Sequence, residues 1–106
     1  MTQEEKLKIE ASIVDVLRTV YDPEIPVNIY DLGLIYSIDV NEEGGVELDM
    51  TFTAPAGPAA DFILADVRSK VESLTGVTST KVNLVFEPAW DQSMMSEEAR
   101  VELGFE

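Results

Sequence analysis

At 106 residues the chain has the length of one domain, and its 45% apolar composition is that of a globular protein. Its 21 acidic and 7 basic residues give a net charge of -14, which repels nucleic-acid backbones and anionic membranes and attracts cations or basic protein surfaces. Cysteine and histidine are both absent, which excludes disulfides, thiolate or imidazole metal sites, cysteine nucleophiles and Ser-His-Asp catalysis within these residues.

The start of the chain lacks the basic residues and apolar run of a secretory signal, and no apolar stretch reaches the length of a membrane span. A cytoplasmic protein is expected. Thr2 and Glu5 stand at capping-box spacing, and Ile9, Ile13, Leu17 and Val20 then recur at helical intervals, which predicts a helix over residues 3–20. Tyr21-Asp-Pro-Glu-Ile-Pro26 stops it, because proline cannot continue the ladder. Leu34, Tyr36, Ile38 and Val40 alternate with Ile35, Ser37 and Asp39, the pattern of a half-buried strand. Asn41-Glu-Glu-Gly-Gly45 reads as a hairpin turn, its paired glycines supplying positive φ, and Val46 to Thr53 as the antiparallel partner.

Thr51-Phe-Thr-Ala-Pro-Ala-Gly-Pro58 then leads into a second helix over about 59–74, with Ile63, Val67, Val71 and Leu74 on one stripe. A third strand is predicted over 80–86, a loop over 91–95, and a short helix from a Ser96 cap to Gly104. The order α-β-β-α-β-α predicts an α/β (α+β) fold: one two-layer domain over residues 1–106, a small mixed sheet with helices on one face.

Three stretches could carry chemistry. In the first, Thr51 and Thr53 point from one face of a strand, and the chain then passes Pro55, Gly57 and Pro58 into a helix. The unpaired N–H groups of a helix start can receive an anion, a carboxylate or a partner's thiolate. The same residues also suit an ordinary connection with Pro at the first helical position. The second stretch supplies Asp22, Glu24 and Asp31 around a rigid turn, for a hard cation, a basic partner or a general base. Its plainer reading is a helix stop in which Asp31 caps a short turn. The third is Glu87-Pro-Ala-Trp90, where the indole either covers the core edge or anchors a partner.

Asp22-Pro-Glu-Ile-Pro26, Asn28-Ile-Tyr-Asp-Leu-Gly-Leu-Ile35, Met50-Thr-Phe-Thr-Ala-Pro55 and Glu87-Pro-Ala-Trp90, in this order, resemble the SufT/PaaD-like (domain-of-unknown-function 59, MIP18-like) iron–sulfur assembly family. The tail from Met95 to Gly104 fits its bacterial members. The resemblance implies a non-enzymatic accessory factor in iron–sulfur cluster assembly or delivery, with assembly proteins or client apoproteins as partners. A narrower branch serves the ring oxygenase of phenylacetate degradation. The family pattern Thr-x-Thr-x-Pro-x-Cys-Pro falls here on Thr51, Thr53, Pro55, Gly57 and Pro58, so glycine stands at the family's thiol position. A thiol there would ionise readily at a helix start and ligate iron, which Gly57 cannot do.

Three readings of that departure stand: action by protein contacts alone, a degenerate family member, or a substituted form of a cysteine-containing parent. No stably held cofactor is expected, only a transient cluster shared with a partner. Thr51, Thr53, Pro55, Gly57 and Pro58 form the expected functional loop, and Asp22, Glu24, Asp31, Glu87 and Trp90 the expected partner contacts. A homodimer is compatible with the small sheet, but no residue pattern requires it.

Overall fold

The computed structural model describes residues 1–23, 25–53 and 58–105, residues 58 and 59 by their backbone alone. In chain order the elements are α1 (Gln3–Leu17), β1 (Ile35–Val40), β2 (Gly45–Met50), α2 (Pro58–Glu72), β3 (Ser79–Leu84), a 3-10 turn (Gln92–Met94) and α3 (Glu97–Leu103). The order is the one expected from the sequence. β2 is central, antiparallel to β1 through the hairpin and parallel to β3 through the α2 crossover.

The core lies between the sheet and the helices. Ile9, Ile13 and Leu17 of α1 meet Val46, Leu48 and Met50 of β2 and Ile63, Val67 and Val71 of α2. Each is a large apolar side chain whose burial contributes about 1.5–3 kcal/mol. The other face of the sheet is polar: Asn83 Nδ2 donates to Glu47 Oε2 at 2.7 Å and to Asp49 Oδ1 at 2.9 Å.

The local signals placed most boundaries, with four corrections. α1 begins at its capping box, Thr2 Oγ accepting from Glu5 N at 3.1 Å and Glu5 Oε1 accepting from Thr2 N at 2.9 Å. It ends at Leu17 rather than at residue 20, because Thr19 N and Val20 N turn back to Val16 O and Leu17 O in the tighter i→i−3 pattern. Of the paired glycines only Gly44 takes a positive φ, and Asn41 Oδ1 closes the turn by accepting from the amides of Glu43 and Gly45.

The alternation in β1 breaks at a bulge. Ile35 pairs with Met50 and Ser37 with Asp49, so Tyr36 is the extra residue. Ile35, Ile38 and Val40 therefore pack on the core, and Tyr36 leaves the face that the alternation gave it. β2 and β3 end two or three residues earlier than expected, at Met50 and Leu84. The chain runs on beside its neighbours there, Thr51 N donating to Leu34 O and Val85 N to Met50 O, each at 2.8 Å.

Candidate functional site

The turn from Asn28 to Gly33 organises the surroundings of the candidate residues. Asn28 Oδ1 accepts from Asp31 N at 2.9 Å, and Asn28 Nδ2 donates to Asp31 Oδ2 at 2.7 Å. Asn28 is thus the cap and Asp31 the residue it caps, the reverse of the simplest sequence reading. Leu32 N returns to Asn28 O at 3.0 Å and Leu34 N to Ile29 O at 3.1 Å.

Two carbonyls of this turn and that of Leu34 just after it are used by three distant segments. Asp31 O accepts from Ser96 N, Leu32 O from Trp90 Nε1 and Leu34 O from Thr51 N, each at 2.8 Å. The approach is close at Gly33, whose φ is +82° and where an added Cβ would stand 2.2 Å from Met94 O. Only glycine meets both conditions. Tyr36, freed by the bulge, donates its hydroxyl to Pro88 O at 2.8 Å, with Met94 Sδ 3.4 Å from the same oxygen. Burial first, and the Asp91 charge second, push its phenol pKa up. The Ser93 hydroxyl and amide hold the Asp91 carboxyl below its ordinary value.

These contacts bring together the Asn28–Ile35 stretch, the end of β2 and the Glu87–Trp90 stretch. Thr51 is buried, 2% exposed, and Thr53 is half-buried. Pro55 and Gly57 lie outside the described residues, as does Glu24. Pro58 opens α2, as its ring predicts, and Asp61 stands in the first helical turn, where the helix dipole favours an anion. Asp22 is half-buried, with Ile25 N reaching its carbonyl at 3.3 Å. Glu87 is exposed before a cis peptide to Pro88. Trp90 is half-buried against the core with its N–H satisfied inside the chain.

Asp31, 7% exposed, faces Arg18 at 3.9 Å, and Arg18 stacks 5.2 Å above the Tyr30 ring. Arg18 is half-exposed, so solvent leaves that ion pair worth little. Beside Asp31 a groove of about 600 Å³ is bordered by α3, with Glu97, Glu98 and Glu102 on its wall. Sequence reasoning missed this wall, because nothing local tells that α3 folds back beside the first turn.

It also missed Phe62, 78% exposed just after the first turn of α2. A signal existed: Phe62 falls off the Ile63, Val67, Val71 stripe. Phe86, 57% exposed, follows β3. The parallel register puts the ends of β2 and β3 side by side, so the Thr51–Thr53 segment, the start of α2 and Phe86 share one end of the sheet. In sheets with parallel strands, ligands and partners are commonly received at that carboxyl end.

Residues 10–84, from α1 to the end of β3, match a family model described as iron-sulfur cluster assembly protein. The chain belongs to that family. It is 63% identical, over 95% of its length and 96% of the relative, to an Fe-S protein maturation auxiliary factor of Porphyromonas gingivalis. It is 37% identical to the Fe-S protein maturation auxiliary factor YitW of Bacillus subtilis, over 97% of this chain and 99% of that one. A crystal structure of a DUF59 domain from Bacillus anthracis superposes with a TM-score of 0.86 at 32% identity, covering 94% of this chain and 95% of that one. The resemblance read from the four motifs is thereby borne out. These relatives are named as auxiliary factors, not as catalysts.

Proposed function

We propose that the protein is an accessory factor in the maturation of iron–sulfur proteins and works by contact with client or assembly proteins. The observation that carries this reading is the 63% identity, nearly end to end, to a maturation auxiliary factor. The chain's donor set does not fit a resident cluster. It has neither thiol nor imidazole, and among the described residues no group of three or more carboxylates could hold a metal. The cluster is therefore cargo carried by a partner, and this chain supplies surfaces.

Two surfaces suit that work. At the carboxyl end of the sheet, Thr51 and Thr53 lead toward Pro55, Gly57 and Pro58, with Phe62 standing out beside the start of α2. An exposed aromatic ring next to a helix start suits an interface anchor. Behind the Asn28 turn, Asp31, Glu97, Glu98 and Glu102 border a groove of acidic character, which favours a basic partner surface. Asp22, Glu24, Glu87 and Trp90 remain candidate partner contacts on the strength of their sequence motifs alone. The site of action is the cytoplasm, where client apoproteins are made.

Deletion of the gene tests the reading. Several cytosolic iron–sulfur enzymes are expected to lose cluster occupancy, and the wild-type gene to restore it. Full occupancy in every client would refute an accessory role. Loss confined to a phenylacetate ring oxygenase would favour the narrower reading instead. Sedimentation of the purified chain settles whether it works as a monomer or a homodimer.

A further inference from the structure

β3 is the outer strand of the sheet, bonded to β2 on one side, and among the described residues no strand pairs with its other side. Val85 N donates to Met50 O, so by alternation the N–H and C=O groups of Val82 and Leu84 face away from β2. Such an edge is a template for a further strand. Beside it lies a groove of about 360 Å³, in which Leu64, Ala65 and Arg68 of α2 border Thr80 and Val82 of β3. Lys81 points to the opposite, polar face of the sheet, next to Glu47.

The charges along this side of α2 are ordered. Asp61, Ala65 and Arg68 are spaced i, i+4, i+7 and share one helical face, with Leu64 beside Ala65. Asp61 and Arg68 are both exposed, and neither forms an ion pair among the described residues. Seven residues set them about 10.5 Å apart along the axis, too far to neutralise each other within one chain. A two-fold axis passing between Leu64 and Ala65 sets Arg68 against the partner's Asp61 and Asp61 against the partner's Arg68, with the small Ala65 side chains near the axis.

One axis serves the strand as well. α2 joins two parallel strands and so runs antiparallel to β3, which puts Leu64 and Ala65 toward Val82 and Arg68 toward Thr80. Antiparallel pairing centred on Val82 bonds its N–H and C=O to the partner's Val82 and brings Lys81 opposite the partner's Asn83 on the polar face. Asn83 is bonded to the Glu47 and Asp49 carboxylates, so Lys81 approaches an acidic patch. A pairing centred on Lys81 would instead oppose two like charges, which destabilises.

We propose that a second copy of this chain pairs antiparallel along β3, making one six-stranded sheet with the two α2 helices side by side across a two-fold axis near Val82. A two-fold contact requires one patch to complement itself, and the reversed order of Asp61 and Arg68 meets that requirement. The inference stands on this edge and does not depend on the maturation role. The net charge of -14 on each copy opposes association, so the test is run at about 0.15 M salt, where the Debye length is about 8 Å.

Sedimentation equilibrium of the full chain, at up to about 1 mM, is expected to show monomer and dimer in exchange. Asp61→Arg and Arg68→Asp, each checked for fold by circular dichroism, are each expected to weaken the dimer about tenfold or more, because each sets like charges together twice. The double variant Asp61→Arg with Arg68→Asp, and an equimolar mixture of the two single variants, are expected to associate as the wild type does. That rescue separates pairing from misfolding. Val82→Pro removes an outward N–H and none bonded to β2, and is expected to leave a folded monomer. A wild type that stays monomeric, a dimer indifferent to the single variants, or failure of both rescues would overturn the proposal.

Discussion

Replacing Gly33 by alanine tests whether the segment following β3 is held against the Asn28 turn as described. Two costs arise. The residue must keep φ near +82°, which costs an L side chain about 1–2 kcal/mol. The new Cβ would also stand 2.2 Å from Met94 O, against ordinary contact from 3.4 Å, so the 92–96 segment must withdraw by about 1.2 Å. Such a shift stretches the 2.8 Å bond from Ser96 N to Asp31 O beyond hydrogen-bonding range. It also strains the bonds of Trp90 to Leu32 and of Tyr36 to Pro88. Each lost bond costs about 1 kcal/mol net, so Gly33→Ala is expected to destabilise by about 3 kcal/mol or more.

Gly104 is the control, with φ +81° and nothing within 4 Å of an added Cβ, so Gly104→Ala bears the backbone cost alone. Urea unfolding followed by far-UV circular dichroism gives both losses, and the single Trp90 reports on the segment directly. Equal losses for the two variants would refute the close approach of Met94 to Gly33.

Three further outcomes follow from the structure. Tyr36→Phe removes one hydroxyl donor and is expected to cost about 1 kcal/mol in urea unfolding. Because the folded pKa of Tyr36 is raised, its contribution is complete below the unfolded value near 10 and is lost as pH rises through the folded value, which absorbance titration with and without Y36F measures. Asp91 has the opposite sign: its folded pKa is lowered, so its support of the 3-10 turn is complete above about 4 and is lost as pH falls through the folded value. Asp91→Asn is expected to flatten that acid limb of an unfolding-versus-pH curve. Thr80→Val replaces a buried hydroxyl, without a partner among the described residues, by a methyl of the same shape, and is expected to stabilise by about 1 kcal/mol; an equal loss would show that the hydroxyl has a partner.

What the sequence disclosed follows the range of the interactions. Thr2 with Glu5, and Ser96 with Gly104, are cap signals complete within a few residues, and both helices begin or end there. The stripes of α1 and α2 are equally local, and each buries the face it predicts. The bulge at Tyr36 depends on how β1 is registered against β2, which alternation along β1 alone does not record. Trp90 shows the same limit. The need of its indole for a partner is legible, but that partner is Leu32 O, 58 residues earlier in the chain. Asp31 invites reading as a surface carboxylate, yet Asn28, Arg18 and the fold of α3 enclose it. The family was legible because four short motifs occur in order, each too weak alone to carry it.

The central claim is that this chain assists maturation through surfaces at the carboxyl end of its sheet. The most direct measurement is cluster occupancy of cytosolic iron–sulfur enzymes in a strain lacking its own factor of this family, complemented with wild type or with Phe62→Ser. Phe62 is 78% exposed, so the substitution is expected to leave stability within about 0.5 kcal/mol of wild type. Wild type is expected to restore occupancy, and the equally folded variant to fall well short of it. Full restoration by Phe62→Ser would remove this surface from the mechanism, and no restoration by wild type would contradict the accessory role itself.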